Sequence, residues 1–130
     1  MATPIETVTA FIAEWGKGNE EMLASYRDFF TAATVWENVG LSVTTGGEEA
    51  VALLQGFETA YGVHHIKVDM LNIAAAGNVV LTERVDRMMD RNGNEGWVVR
   101  MMGVFEVEGG KIARWREYFD SASVPQPVAS

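Results

Sequence analysis

Three short turn sequences divide the second half of the chain at regular intervals. Each combines glycine with asparagine or with a second glycine, and they are Ala76-Gly77-Asn78, Asn92-Gly93-Asn94 and Gly109-Gly110. Such sequences join antiparallel strands in tight hairpins. Together with the β-branched and aromatic residues around them, they predict four strands, at about 64–75, 78–90, 95–108 and 111–119. Consecutive strands joined in this way form an antiparallel meander.

The first half of the chain predicts three helices and one short strand. Thr3-Pro4-Ile5-Glu6 has the residue types of a helix start, with threonine as the cap and glutamate three residues later. Asn19 predicts the cap of a second helix, Thr34 to Val39 a strand, and Glu48 to Phe57 a third helix. Helices gathered in one half must cover one face of the sheet. The predicted fold class is therefore α+β, a curved, mostly antiparallel sheet wrapped around three helices with a deep apolar cup between them.

Length and charge limit the partners that the chain can have. With 130 residues we expect one domain, 1–130, with a mobile tail at 121–130. The net charge of −8 disfavours nucleic acid and anionic membrane surfaces as partners. The absence of cysteine excludes disulfides, thiolate catalysis and cysteine–zinc sites. We find neither a signal-peptide pattern nor an apolar stretch of membrane-spanning length, and we therefore expect a cytoplasmic protein.

The candidate chemistry lies in Thr82-Glu83-Arg84-Val85-Asp86, within the second of the four predicted strands. Side chains alternate along a strand, so Arg84 and Asp86 share one face. Asp120 closes the last predicted strand, and pairing of the two strands would place two carboxylates around one guanidinium. In an apolar cup, that group is a candidate acid/base device. The alternatives are a solvent-exposed ion pair for Arg84 and Asp86, and a turn cap for Asp120.

Longer stretches around these residues resemble the limonene-1,2-epoxide hydrolase family, within the wider NTF2-like, SnoaL-like group of cone-shaped domains. The similar stretches are Asn78 to Asp86, Gly103 to Val107, Gly110 to Ile112 and Trp115 to Asp120. In that family an Asp-Arg-Asp triad opens an epoxide in one step through direct attack by water, without a cofactor. The resemblance therefore implies an NTF2-like epoxide hydrolase that converts a hydrophobic, cyclic or terpene-like epoxide into a vicinal diol. Its partners would be that small epoxide and water.

The resemblance also implies a part for each site residue. Asp120 would be the base that activates water, Asp86 the acid that protonates the epoxide oxygen, and Arg84 the bridge between them. Asn38 matches the asparagine that helps to hold the water. Trp36 stands where the family usually has tyrosine. An indole only donates a hydrogen bond, whereas a phenol both donates and accepts, so the positioning of water is the point at which this chain departs.

Two tyrosines and two methionines complete the predicted pocket. Tyr26 and Tyr118 are the two candidates to supply the hydroxyl that Trp36 lacks. Tyr118, Met88 and Met101 are predicted to line the substrate pocket. Methionine suits a wall of adaptable shape, although ordinary core packing is the alternative interpretation.

The last strand carries more positive charge than an apolar cup tolerates. Counting by two from Asp120 puts Tyr118, Arg116 and Arg114 on the inner face. We therefore expect a bulge near Trp115 that turns the two arginines outward, as strongly curved sheets often have.

Two further features concern metals and assembly. His64 and His65 are adjacent on a strand and face opposite ways, and the chain has no third histidine, so no metal site is expected. The segment Trp97 to Met102 is apolar on both faces, which predicts a homodimer through the outer face of the sheet.

Two other function classes remain open at this stage. A ketosteroid isomerase or polyketide cyclase type of proton transfer would use one aspartate base facing an oxyanion hole, and an arginine between two aspartates argues against it. A non-catalytic NTF2-like module that binds an apolar ligand or dimerises has no need for a buried charged triad, which costs stability.

Overall fold

Three helices and six strands are arranged along residues 2–127, the part of the chain that this computed structural model describes. In chain order they are α1 (Pro4–Trp15), α2 (Asn19–Phe29), β1 (Phe30–Asn38), β2 (Ser42–Thr45), α3 (Gly47–Tyr61), β3 (His65–Ala76), β4 (Val79–Met89), β5 (Glu95–Glu108) and β6 (Lys111–Tyr118). None of these helices is long and apolar enough to cross a membrane.

The six strands form one sheet in the order β2-β1-β6-β5-β4-β3. The four strands predicted for the second half are confirmed, each boundary lying within one residue of the expected position. Within the described residues β1 pairs with β6 in parallel, and the other neighbouring strands are antiparallel. The predicted α+β class, with a curved sheet around three helices, is confirmed. The short strand β2 had not been predicted.

The helix starts follow the sequence in one case and depart from it in another. At α1 the predicted capping box is confirmed, because Glu6 donates its backbone N–H to Thr3 Oγ1 at 3.1 Å and accepts from the Thr3 N–H at 2.8 Å. At α2 the cap is Gly18 and not Asn19. The Asn19 amide instead donates to the His64 carbonyl at 2.7 Å, which ties α2 to the beginning of β3.

Aromatic side chains fill the space between the helices and the sheet. Phe11 on α1 lies at the centre and packs against six other rings: Trp15, Tyr26, Phe29, Phe30, Phe105 and Trp115. Across the sheet Trp36, Trp115 and Phe105 stack in one row, with centroid distances of 4.9 and 5.0 Å. Large rings bury the most apolar surface per residue, and they make a rigid floor for the cup.

A second inward-facing row, next to this aromatic one, carries polar residues. The parallel pairing of β1 with β6 places Asn38 beside Glu117, and the pairing of β6 with β5 places Glu117 beside Gly103. Gly103 in turn pairs with Thr82 on β4. The sheet therefore brings residues from four strands to the floor of the cup.

The end of the described chain adds one turn and one residue of the cavity wall. Ser121–Ser123 form a 3-10 turn, and Val124 lines the cavity. The rest of the tail predicted to be mobile, 128–130, lies outside the described residues.

Candidate active site

The cup contains a cavity of about 260 Å³ between the sheet and the helices. Its wall is largely apolar and includes Trp36, Leu54, Phe57, Met88 and Met101, with Asn38, Asp86 and Glu117 supplying polar groups. The structure thus places both predicted methionines in the wall. An apolar cavity with a few converging polar groups is the usual form of a small-molecule site.

Arg84 forms the centre of a buried charged group. Its Nε and Nη2 donate to the two carboxylate oxygens of Asp86 at 3.0 and 2.8 Å. On the other side Nη1 and Nη2 donate to the carboxylate of Glu117 at 3.1 and 2.5 Å, and Nη1 also donates to Thr82 Oγ1 at 3.0 Å. All five N–H groups of the guanidinium have an acceptor, which is what a fully buried arginine requires. The prediction that Arg84 and Asp86 share one face is confirmed.

The second carboxylate of this group belongs to Glu117 and not to Asp120. Asp120 is exposed beyond the end of β6, where its Oδ1 accepts from the Ala122 N–H at 3.0 Å and caps the 3-10 turn. The prediction that Asp120 flanks Arg84 is therefore wrong, and its alternative as a turn cap describes the residue. The carboxylate that enters the cup belongs to Glu117, three residues before Asp120.

The alternation of side chains along β6 explains this difference. Trp115 and Glu117 are buried, whereas Arg114, Arg116 and Tyr118 lie on the outer side with greater exposure. The bulge expected near Trp115 is present two residues before it. Glu106 pairs with Arg114 and Val107 with Ile112, so Ala113 is an extra residue on β6, and the two arginines after it face outward. Tyr118 consequently does not line the pocket as predicted. Two arginines that must face solvent already imply that the residues alternating with them face inward, and this pattern could have identified Glu117.

Gly103 makes room for the charged group. It separates Glu117 from Thr82 in the polar row, and its missing side chain lets Glu117 reach across β5 to Arg84. A methyl group at this position would collide with Glu117 Oε2 and would lie 2.6 Å from Arg84 Nη1 and 2.9 Å from Thr82 Oγ1. Glycine is required here by close approach, and not by its backbone conformation.

We expect Gly103→Ala to separate Glu117 from Arg84 and to lower stability by roughly 1–3 kcal/mol, the usual cost of overpacking. Urea denaturation measures the change. Gly96→Ala is the matched control, since it lies on the same strand and its new methyl group would be 3.4 Å from the Met88 carbonyl. Equal stability of the two variants would contradict the tight packing around Gly103.

Burial and charge act in opposite directions on Glu117. Its burial raises the pKa of the carboxyl, Arg84 lowers it, and the nearby Asp86 raises it again, with the result that the pKa is about 7. For Arg84 burial opposes the charge, but the two carboxylates outweigh it and the pKa is raised. One guanidinium does not fully compensate two buried carboxylates, so Glu117 holds a proton at mildly acidic pH.

The raised pKa of Glu117 makes stability depend on pH. Because the folded chain retains a proton that the unfolded chain loses above its ordinary pKa of 4.5, the free energy of unfolding should fall as pH rises from about 4.5 to 7. The expected loss is about 3 kcal/mol. Denaturation at pH 5 and pH 8 tests this against Glu117→Gln, which should lack this part of the dependence. The same slope in both proteins would contradict it.

The histidine pair lies apart from this group. The Nδ1 atoms of His64 and His65 are 2.9 Å apart and share a hydrogen bond, and burial together with His64 lowers the pKa of His65. Residues 2–127 contain no cluster of three side chains that could hold a metal ion.

Comparison with known proteins places this site in a family. The family model for the limonene-1,2-epoxide hydrolase (LEH) catalytic domain matches residues 2–127. The chain belongs to the LEH family. Epoxide hydrolase EphG of Mycobacterium tuberculosis is 40% identical over 87 residues, which cover 66% of this chain. The match covers 54% of EphG, so the chain spans about half the length of this curated relative.

Solved structures agree with this assignment. A LEH-like epoxide hydrolase from Mycobacterium tuberculosis superposes with a TM-score of 0.71 at 32% identity, covering 92% of this chain and 84% of that one. An NTF2-like protein of unknown function from Burkholderia pseudomallei superposes with a TM-score of 0.74 at 16% identity, over 94% of both chains. The second likeness shows the fold alone, and the fold is NTF2-like.

This LEH family member differs at two site positions from what the resemblance implied. Glu117 supplies the second carboxylate where an aspartate was expected, which lengthens that arm by one methylene. Trp36 occupies the expected tyrosine position, and its indole nitrogen is buried without an acceptor among the described residues. Asn38 is present, and its amide nitrogen donates to Ser42 Oγ at 3.1 Å, which leaves its amide oxygen for another partner.

Proposed function

We propose that this protein is an epoxide hydrolase that opens a small hydrophobic epoxide to a vicinal diol by direct attack of water. The observation that carries the proposal is the buried group of Asp86, Arg84 and Glu117, whose two carboxyls line one apolar cavity. Epoxide opening needs a base for water and an acid for the departing oxygen. Two carboxyls that share a proton supply both at once.

In this proposal Glu117 takes the place that the resemblance gave to Asp120. Glu117 lies beside Asn38 in the sheet, so a water between the Asn38 amide oxygen and the Glu117 carboxylate would be held and activated there. As the water oxygen bonds to an epoxide carbon, Glu117 accepts a proton from the water. The form proposed to react is the one in which Glu117 is ionised and Asp86 carries the proton, and Asp86 donates that proton to the epoxide oxygen as the carbon–oxygen bond breaks. Return of the proton from Glu117 to Asp86 resets the pair, and Arg84 keeps both carboxyls in place throughout.

The cavity limits the size of the substrate. Its volume of about 260 Å³ lies just below the range of roughly 300–1,000 Å³ that suits drug-sized ligands. The apolar wall offers few hydrogen bonds beyond the carboxyls. These properties favour a compact cyclic or terpene-like epoxide as the substrate.

Hydrolysis of limonene oxide and cyclohexene oxide in oxygen-18 water tests the proposal. Under single-turnover conditions, direct attack puts the label into the first diol formed. Unlabelled diol in the first turnover would mean that an enzyme carboxylate attacked carbon, and the mechanism would be wrong. Absence of turnover for a panel of compact epoxides would contradict the activity itself.

We also propose that the protein forms a homodimer through the outer face of the sheet. Met102 and Tyr118 are paired neighbours on that face, 49% and 45% exposed, and Leu81 on β4 is 44% exposed. Ion pairs such as Arg116 with Glu106 lie on the same face, and charges of both signs allow a surface to pair with itself. Sedimentation should show a dimer that Met102→Glu dissociates and that Leu41→Glu, on the β1–β2 loop, leaves intact. A monomeric wild-type protein would contradict this assembly.

A further inference from the structure

One phenol hydroxyl in the cup takes no part in the hydrogen bonds that hold the fold together. Tyr26 lies on the inward face of α2, only 1% exposed, and it lines the same cavity as Asp86 and Glu117. Its hydroxyl makes no hydrogen bond to another group within residues 2–127. The polar side-chain atoms that are closed off without a partner are four indole nitrogens and one threonine hydroxyl. The Tyr26 oxygen is not among them, so it reaches the open space of the cup.

The ring of Tyr26 lies over the strands that carry the proposed water site. Its centroid is 5.2 Å from that of Trp36 on β1 and 5.9 Å from that of Trp115 on β6. Two residues further along these strands, on the same face, are Asn38 and Glu117. The pKa of Tyr26 is raised well above its usual value, first by burial and then by the charge of Glu117. Its hydroxyl therefore remains a protonated donor at neutral pH and lies within the electrostatic reach of Glu117.

Trp36 itself cannot supply this donor. The indole N–H is the only hydrogen-bond donor of this side chain, and its nitrogen is buried without a partner. A water molecule that attacks carbon has two hydrogens to donate and two lone pairs, one of which points at the carbon. Glu117 and the Asn38 amide oxygen can accept the two hydrogens. The second lone pair then needs a donor, and a phenol on the opposite wall has the right chemistry.

We propose that Tyr26 on α2 is the water-positioning hydroxyl of this site, in place of a hydroxyl on β1. The inference rests on the proposed function, since the water in question is the one that opens the epoxide. It assigns to a helix a contact that Trp36 on the strand cannot make.

Tyr26→Phe tests the assignment because it removes one oxygen and keeps the ring in its aromatic cluster. We expect kcat to fall about tenfold or more, with KM within about twofold of the wild type and an unchanged melting temperature. Tyr118→Phe is the matched control and should keep the wild-type kcat, since this tyrosine lies on the outer face of the sheet, away from the cavity. Adding Trp36→Tyr to Tyr26→Phe should restore at least part of the lost kcat, because it returns a hydroxyl to β1. Wild-type kcat in Tyr26→Phe would overturn the proposal.

A binding measurement separates this proposal from the proposed function. One hydroxyl of a product diol comes from the attacking water, so trans-cyclohexane-1,2-diol probes the same contact without turnover. Tryptophan fluorescence reports its binding, since all four tryptophans line the cavity. We expect the Kd to rise about five- to tenfold in Tyr26→Phe and to stay unchanged in Tyr118→Phe, whose hydroxyl lies outside the cavity. Equal affinity in wild type and Tyr26→Phe, or binding by neither, would overturn the assignment even if no epoxide were hydrolysed.

Discussion

Glu117→Gln is expected to lower kcat for epoxide hydrolysis by roughly 10²–10⁴-fold, the range typical for loss of a general base. Glutamine keeps the length of the side chain and can still accept one hydrogen bond from Arg84, but it cannot take a proton from water. Asp120→Asn is the matched variant and should retain kcat within about twofold. Asp120 contacts the backbone N–H of Ala122 and none of the buried charged group. Initial rates with cyclohexene oxide, measured on folded protein, give the comparison.

The two variants together decide which carboxylate activates the water. An inactive Asp120→Asn beside an active Glu117→Gln would restore the assignment that the resemblance implied and would overturn the one made from the structure. Loss of activity in both would mean that the 3-10 turn capped by Asp120 also supports the site. Circular dichroism on each variant separates a chemical effect from a loss of fold.

Removal of Arg84 should produce the largest change in stability. Arg84→Met leaves Asp86 and Glu117 as two neighbouring buried carboxyls without a cation, and breaking a buried charge pair in this way costs about 3–5 kcal/mol. The loss should be greater at pH 8 than at pH 5. Without Arg84, two buried carboxyls avoid charge only by binding protons, and binding a proton costs more free energy at the higher pH. Urea denaturation at the two pH values measures it.

A triple variant shows whether charge or packing causes that loss. Arg84→Met combined with Asp86→Leu and Glu117→Met replaces the buried charges with apolar side chains. Such replacements are often neutral or stabilising when the volumes are similar, so the triple variant should be more stable than Arg84→Met alone. A triple variant that is less stable than Arg84→Met would show that the charged group contributes more to stability than its desolvation costs.

The sequence was sufficient to predict the four-stranded meander and two of the three members of the buried charged group. Glycine turns and β-branched residues are local features, and they located the four strands of the meander. The pairing of Arg84 with Asp86 also follows from a local rule, because residues two apart on one strand share a face. The expected α+β architecture followed from the division of the chain into helices first and strands second.

The second carboxylate depended on information that is not local. Asp120 had the expected residue type, but β6 ends at Tyr118 and the chain turns away before Asp120. Glu117 reaches Arg84 only because Gly103, which lies between Glu117 and Thr82 in the register of three strands, leaves room for its side chain. Neither the end of the strand nor the neighbour across β5 can be deduced from the spacing of residues along the chain.

The parallel seam between β1 and β6 gives the folding of this protein an order. Hairpins connect each strand from β3 to β6 with the next one. This meander can therefore form through contacts between residues that are close in the sequence. The pairing of β1 with β6 instead closes a long loop. The hydrogen bond from Thr34 Oγ1 to the Ile112 carbonyl, for example, joins residues 78 positions apart. Contacts of this separation cost more entropy and form more slowly. We therefore expect the charged group to assemble within the early meander and Asn38 to join it only at the final closure, so that catalytic competence is acquired last.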